Sequence, residues 1–334
     1  MIETDDPIDE VVAAPAGPPP GWFTEALAAP AADASVEVAG ARISYRTWGR
    51  AGLPGVVLVH GTAAHAHWWD HIAPFLAGSP SSDGGLRVAA VSMSGHGDSD
   101  WRDRYDLSQW GDEIMAVASA AEIGGPPVII GHSLGGMVAI TTARRYGSAL
   151  TGIVVIDSPL YEGRPPAKRP VPAMGFGTQR IYPSREAILD RFRLVPEQPV
   201  LPYIRDHVAA WSVTARDNGW YWKFDQRLFA KMIPPSLPTP TARPGCLIAI
   251  FRAEHGLMSS EMAQTTRLLL GQAATVVELP AAGHHVMLDQ PLSLVAALRT
   301  VLAGWIAPGP REPAVPDMPA DGARGGVERA RFPH

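Results

Sequence analysis

Short, nearly unbroken apolar runs alternate with stretches whose apolar residues recur every three or four positions, and this alternation organises the chain from about residue 36 to 306. Val36–Val38 and Arg42–Trp48, turning at Ala39-Gly40, predict a β-hairpin. Gly55-Val-Val-Leu-Val-His60 predicts a buried strand, Trp68–Leu76 a helix and Arg87–Ser92 another strand. Ser108–Ile123 has helical spacing, with Ser108 as the expected N-cap. Pro127–Gly131 predicts a strand, Leu134–Tyr146 a helix stopped by Gly147, and Gly152–Ile156 a strand. The alternation then lapses over 159–245, a stretch rich in Pro, Arg and aromatic residues with weak helical patches near 184–193 and 201–215. It resumes with strands at Cys246–Phe251 and Thr275–Leu279 and helices at 259–270 and Leu292–Ile306.

Continuous apolar strands separated by helices predict an α/β fold, a mostly parallel sheet with helices on both faces. The lapse predicts a helical cap inserted over the C-terminal ends of the strands, where such sheets form their ligand crevice. The expected division is a core of 22–158 and 246–307, a cap of 159–245, and flexible tails at 1–21 and 308–334 that lack apolar periodicity.

Composition narrows the function. The chain has 334 residues, 46% of them hydrophobic, enough for a sizeable core. Its net charge is −5 and it carries no basic stripe, which excludes nucleic acid as the expected partner. With 33 glycines and 33 prolines it exceeds the roughly 12% usual for the two together, in keeping with long loops or tails. The one cysteine, Cys246, excludes an internal disulfide and cysteine-rich metal sites, and on its expected strand it reads as core. The sequence shows no secretory signal pattern and no apolar run of about 18 residues, so the expectation is a cytoplasmic protein without a membrane span.

Gly131-His-Ser133-Leu-Gly135 lies directly after a strand and directly before a helix. A sharp turn there lifts the Ser133 hydroxyl above the sheet, and the flanking glycines remove side chains that would clash. A serine needs a base to take its proton. Gly283-His284-His285 follows the last strand and precedes the last helix, and His284 is the expected base, with His285 a packed or solvated neighbour. The acid that orients the imidazole is Asp157 or Glu254, each at the C-terminal end of a strand; Asp157 leads. The oxyanion donors are expected to be the backbone N–H groups of Leu134 and Thr62, with His60 buttressing the Thr62 loop. Trp68, Trp211, Trp220 and Trp222 are candidate walls of an apolar substrate pocket, although aromatic residues of the cap equally suit its own small core. His65-Ala-His67-Trp-Trp-Asp70-His71 approaches a His-x-His-x-Asp-His metal motif with one residue too many, and reads instead as a loop entering a helix. No metal or organic cofactor is expected.

Together these segments resemble the α/β-hydrolase superfamily over roughly 36–158 and 246–306. The resemblance rests on His60-Gly61-Thr62, Ser94-Gly-His-Gly-Asp-Ser99, Gly131-His-Ser-Leu-Gly135 and Ala282-Gly-His284. It implies a serine hydrolase that cleaves a carboxylic ester or lactone of a small apolar substrate through an acyl-enzyme. The alternative it admits is a C–C bond hydrolase or thioesterase on the same triad, with an inward arginine pair, from residues such as Arg191, Arg193 or Arg205, as the mark of the C–C reaction, and, less directly, a binding protein without turnover. The segment Arg252-Ala-Glu-His-Gly256 lacks the aspartate usual after that strand. Some esterases of the superfamily carry the acid one strand earlier, at the position of Asp157.

Overall fold

The structure, a computed structural model, describes residues 17–78, 85–158, 179–233, 244–271 and 273–306. Residues 1–16 and 307–334, which hold most of the two expected tails, lie outside the described residues, as do 159–178 and 234–243 of the expected cap.

The chain begins with α1 (Gly21–Ala28), followed by the hairpin strands β1 (Ala32–Val38) and β2 (Ala41–Trp48) and the buried strand β3 (Gly55–Val59). A 3₁₀ turn at Ala66–Trp69 and the short α2 (Ala73–Ala77) replace the single helix expected at 68–76. Pro74 sits in the first turn of α2, where it suits a helix start, so the preceding residues turn separately. Then come β4 (Arg87–Val91), α3 (Leu107–Ala120), β5 (Val128–His132), α4 (Leu134–Tyr146) and β6 (Gly152–Ile156). The cap of α3 is Asp106, whose carboxylate accepts from Gln109 N at 2.8 Å; Ser108 lies inside the helix. Between β6 and the next sheet strand the chain forms α5 (Arg185–Leu189), α6 (Pro202–Trp211), the strands β7 (Val213–Arg216) and β8 (Gly219–Trp222), and α7 (Leu228–Lys231). It closes with β9 (Leu247–His255), α8 (Ser260–Leu270), β10 (Thr275–Gly283), α9 (Val286–Asp289) and α10 (Pro291–Trp305).

Eight strands form one sheet in the order β1-β2-β4-β3-β5-β6-β9-β10. The β1–β2 and β2–β4 pairs are antiparallel and the remaining five are parallel. Side chains alternate between the faces, as the pleat requires. Val56, Leu58, Val128, Ile130, Val154, Ile156 and Phe251 face one core, with α1, α2 and α10. Val57, Val59, Ile129, Ile153, Val155 and Ile250 face the other, with α3, α4 and α8. The fold is therefore an α/β sandwich around a mostly parallel sheet, and the central strands are apolar throughout because both faces are covered.

The segment between β6 and β9 docks on loops at the C-terminal ends of the strands. His65 Nε2 meets Ser212 Oγ at 2.9 Å, His207 Nε2 donates to Asp70 Oδ2 at 2.9 Å, and Tyr105 Oη donates to Asp225 Oδ2 at 3.0 Å. It is not wholly helical. β7 and β8 form an antiparallel hairpin on a two-residue turn, Asp217-Asn218, which the helical reading of 201–215 did not anticipate.

Candidate active site

The turn between β5 and α4 is set by glycine. A Cβ on Gly131 would lie 2.2 Å from Gly135 O, and one on Gly135 would lie 2.5 Å from Val59 O, so both positions exclude any side chain. Ser133, between them, is held at φ +53°, a conformation a non-glycine residue adopts at a cost of about 1–3 kcal/mol. Its backbone N–H donates to Ile156 O at 3.0 Å, and its carbonyl accepts from Gly136 N and Met137 N. Backbone bonds on both sides thus hold the strain and present the hydroxyl at the start of α4.

His284 reaches Ser133 from the end of β10, with Nε2 lying 3.1 Å from Ser133 Oγ. Its other nitrogen, Nδ1, lies 2.7 Å from Asp157 Oδ2. Asp157 ends β6 and is fully buried, with φ +43°. Three backbone N–H groups converge on its carboxylate: Leu257 at 2.7 Å and Met258 at 3.2 Å from the β9–α8 turn, and Ala253 of β9 at 3.4 Å. The carboxylate accepts these donors and accepts the His284 Nδ1–H as well, which leaves Nε2 as the acceptor facing serine. Glu254 stands elsewhere. It is exposed, accepts from Ala281 N at 2.7 Å and lies 3.9 Å from His255.

Thr62 lies in the loop after β3, and a Cβ on the preceding Gly61 would sit 3.2 Å from Ser133 Cβ. The loop therefore runs against His132 and Ser133. His60 braces it: Met93 N donates to His60 Nε2 at 3.1 Å, so Nδ1 carries the proton and donates to Gly61 O at 2.7 Å. The Leu134 N–H belongs to the first turn of α4, where helix donors lack a partner within the helix.

A second group of contacts supports the His284 loop. Gln198, from the segment between α5 and α6, accepts from His285 N and donates to Asp289 Oδ2, each at 2.8 Å. The same Asp289 oxygen accepts from Gly283 N at 2.6 Å. Burial pushes the Asp289 carboxyl up to about 7, opposed by these donors. Sequence reading missed both residues. Asp289, the lone acid of an apolar turn before Pro291, carried a faint signal; Gln198, 87 residues from His285, carried none.

The expected pocket aromatics divide. Trp68 is buried edge-on to His285, with ring centroids 5.6 Å apart. Trp211 is half-exposed and stacks on His67 at 3.8 Å. Trp220 and Trp222 pack with Ile188 and Val213 in a small core of the β6–β9 segment. The histidines of the 65–71 stretch diverge. His65 turns to Ser212 and His71 to Met287 O, whereas His67 and Asp70 meet His207 of α6. Cys246 is half-buried against the core, and burial raises its thiol to about 11, which leaves it a poor nucleophile. Among the described residues no helix is long and apolar enough to cross a membrane.

The sequence profile of the alpha/beta hydrolase family matches residues 56–298. The esterase Rv0045c of Mycobacterium tuberculosis is 27% identical over 274 residues, 78% of this chain and 86% of that one. A pimeloyl-[acyl-carrier protein] methyl ester esterase of Neisseria meningitidis is 37% identical over 103 residues, 31% of this chain and 36% of that one. Among solved structures, the thioesterase domain from the curacin biosynthetic pathway superposes with a TM-score of 0.66 at 19% identity, covering 81% of this chain and 99% of that one. E-2-(acetamidomethylene)succinate hydrolase does so at 0.64 and 20% identity, covering 83% and 99%. At these identities the structural matches speak to the fold alone.

Proposed function

The chain belongs to the alpha/beta hydrolase family and is an ester-cleaving hydrolase, and from that premise we propose that it is a serine esterase whose catalytic residues are Ser133, His284 and Asp157. The supporting observation is the continuous hydrogen-bonded line from Ser133 Oγ through the His284 ring to the buried Asp157 carboxylate. Ser133 Oγ attacks the ester carbonyl carbon while His284 Nε2 takes its proton. Asp157 stabilises the resulting imidazolium without taking the proton itself. The carbonyl oxygen becomes an anion, for which the Leu134 and Thr62 N–H groups are the donors; one such donor is worth about 10²–10³-fold in kcat. His284 then protonates the departing alcohol. Water, deprotonated by His284, attacks the acyl-serine and releases the carboxylic acid.

The β6–β9 segment acts as the cap over this site, and Trp68, next to His285, is the aromatic placed to meet an apolar acyl group. The substrate is a small, uncharged ester or lactone. Of the arginines that would mark the C–C bond alternative, Arg191, Arg193 and Arg205 are all exposed.

Labelling with a fluorophosphonate probe, followed by peptide mass spectrometry, tests the reading alongside turnover of p-nitrophenyl acetate and butyrate. One adduct per chain on Ser133 is expected. Ser133→Ala should abolish labelling and lower kcat by at least about 10⁴-fold with the fold intact; turnover surviving in that variant overturns the assignment.

A further inference from the structure

Between β10 and α9 the backbone crosses a short link, His284 and His285, and the proposed base stands on it. Side chains distant in sequence hold the polar backbone atoms around this link. Asp289 accepts from Gly283 N, and Gln198 accepts from His285 N. A third contact, to the His284 carbonyl, comes from the residue before the nucleophile: His132 Nε2 donates to it at 2.8 Å.

His132 ends β5, where its backbone pairs with Ile156, the residue before Asp157. Its side chain is buried, and its ring centroid lies 4.7 Å from that of His284. A carbonyl partner places the proton on Nε2 and leaves Nδ1 a bare lone pair. That nitrogen is buried without a partner and faces Gly61, where an added Cβ would sit 3.0 Å from it. Burial, with His284, His285 and His60 around the ring, holds its pKa well below 6.5 and keeps it neutral. An apolar ring of the same shape would fill this space without an orphaned nitrogen, so packing does not account for an imidazole here. The bond to the His284 carbonyl does.

We propose that His132 is a positioning residue of the ester-cleaving reaction, tying the backbone of the base to the residue that leads into the nucleophile turn and so setting the distance from His284 Nε2 to Ser133 Oγ. Ser133 follows His132 directly, so one peptide bond and one hydrogen bond join the nucleophile's backbone to that of its base. This path does not pass through the cap. The distance it sets is 3.1 Å, and misplacing a catalytic group by an ångström costs about 10²-fold in rate. His132 takes no part in the proton transfer itself, because its one ring proton is held by the carbonyl.

This role rests on the esterase reading, which wild-type turnover of p-nitrophenyl butyrate and fluorophosphonate labelling test separately. His132→Phe keeps a ring and deletes the donor. It should lower kcat and the labelling rate about 10²-fold, with KM changed less than about threefold. His132→Gln, whose amide nitrogen reaches the same carbonyl, should stay within about tenfold of wild type, and His132→Asn, one methylene shorter, should fall with His132→Phe. Melting temperatures measured alongside tell positioning from unfolding, and the contrast between Gln and Asn decides the matter if His132→Phe fails to fold. The nuclear magnetic resonance signal of the His284 Nδ1–H needs no turnover. It should shift in His132→Phe and His132→Asn and hold in His132→Gln. A wild-type kcat in His132→Phe, equal activity of the Gln and Asn variants, or an unmoved His284 signal overturns the role. A wild-type chain that neither labels nor turns over overturns the esterase reading instead, and the His284 signal then still reports whether His132 places the ring.

Discussion

Two carboxylates compete for one imidazole in the sequence, and a few backbone N–H groups separate them in space. Asp157 and Glu254 both close a parallel strand, and nothing in their flanking residues decides between them. Asp157 is distinguished by the end of β9 and the turn after it, where Ala253, Leu257 and Met258 donate to its oxygens and Gly256 gives them room. A Cβ on Gly256 would sit 2.4 Å from the carboxylate. That turn lies 100 residues from the acid in the sequence, so its effect is not legible there. Asp157→Asn should lower kcat by about 10³–10⁴-fold, because the amide favours the wrong histidine tautomer. Glu254→Gln, which keeps an acceptor for Ala281 N, should change it less than tenfold. Steady-state kinetics on both variants check this, and a mild Asp157→Asn alongside a severe Glu254→Gln reverses the roles. Ser133 and His284 were easier to single out, since each is marked by its immediate neighbours, a glycine pair and a strand end.

At the level of elements, legibility follows locality. The β5–turn–α4 unit is written in one stretch of nineteen residues, and its strand and helix fall where the apolar pattern puts them. The β7–β8 hairpin was missed because four-residue strands give too little alternation to outweigh a helical patch next to them. Helix α1 falls almost wholly in the expected core, but no element was read there, although its Trp22-Phe23 pair packs on Tyr203. Least legible is the clamp in which Gln198 joins the His285 backbone to Asp289. Its carboxamide bonds the loop and not the substrate, so its effect is on where His284 sits. Gln198→Leu should cut kcat about 10–100-fold with KM nearly unchanged, in line with the cost of misplacing a catalytic group by an ångström. Gln198→Glu, which keeps the acceptor for His285 N but sets a second carboxylate beside Asp289, should fall between. Melting temperatures measured alongside tell positioning from unfolding, and an unchanged kcat in Gln198→Leu removes the clamp from the mechanism.

The molecule as a whole buries histidine to an unusual degree, and this sets its response to acid. Burial lowers the pKa of His71 and His96 to about 4 and of His285 to about 3, and holds His60, His65 and His132 well below 6.5. A histidine depressed in the fold stays neutral while the unfolded chain takes up its proton. The stability it contributes is therefore full above pH 6.5 and falls as pH drops toward the folded value. Each of the six contributes up to about 1.4 kcal/mol per pH unit, and the stability of a typical domain is only about 5–15 kcal/mol. Asp70 adds to the loss at lower pH. Burial alone would raise it, but bonds from His207 and His67 and the Arg46 charge hold it below the usual carboxylate range. Circular dichroism should show cooperative unfolding with a midpoint at about pH 5; native spectra persisting at pH 4 overturn the argument. A different property follows from the adjacency of β6 and β9, which pair in parallel, Gly152 to Leu247 through Ile156 to Phe251. Parallel neighbours need a crossover whatever its length, and the cap is that crossover grown long. It is a cassette in the topological sense: one of another length can replace it without rethreading the sheet, leaving Ser133 and Asp157 where they stand in the chain and His284 at the end of the same strand. A replacement would have to bring side chains that bridge the His285 amide and Asp289 and that meet Asp70, His65 and Tyr105, as Gln198, His207, Ser212 and Asp225 do here; the rest of the segment is free to diverge.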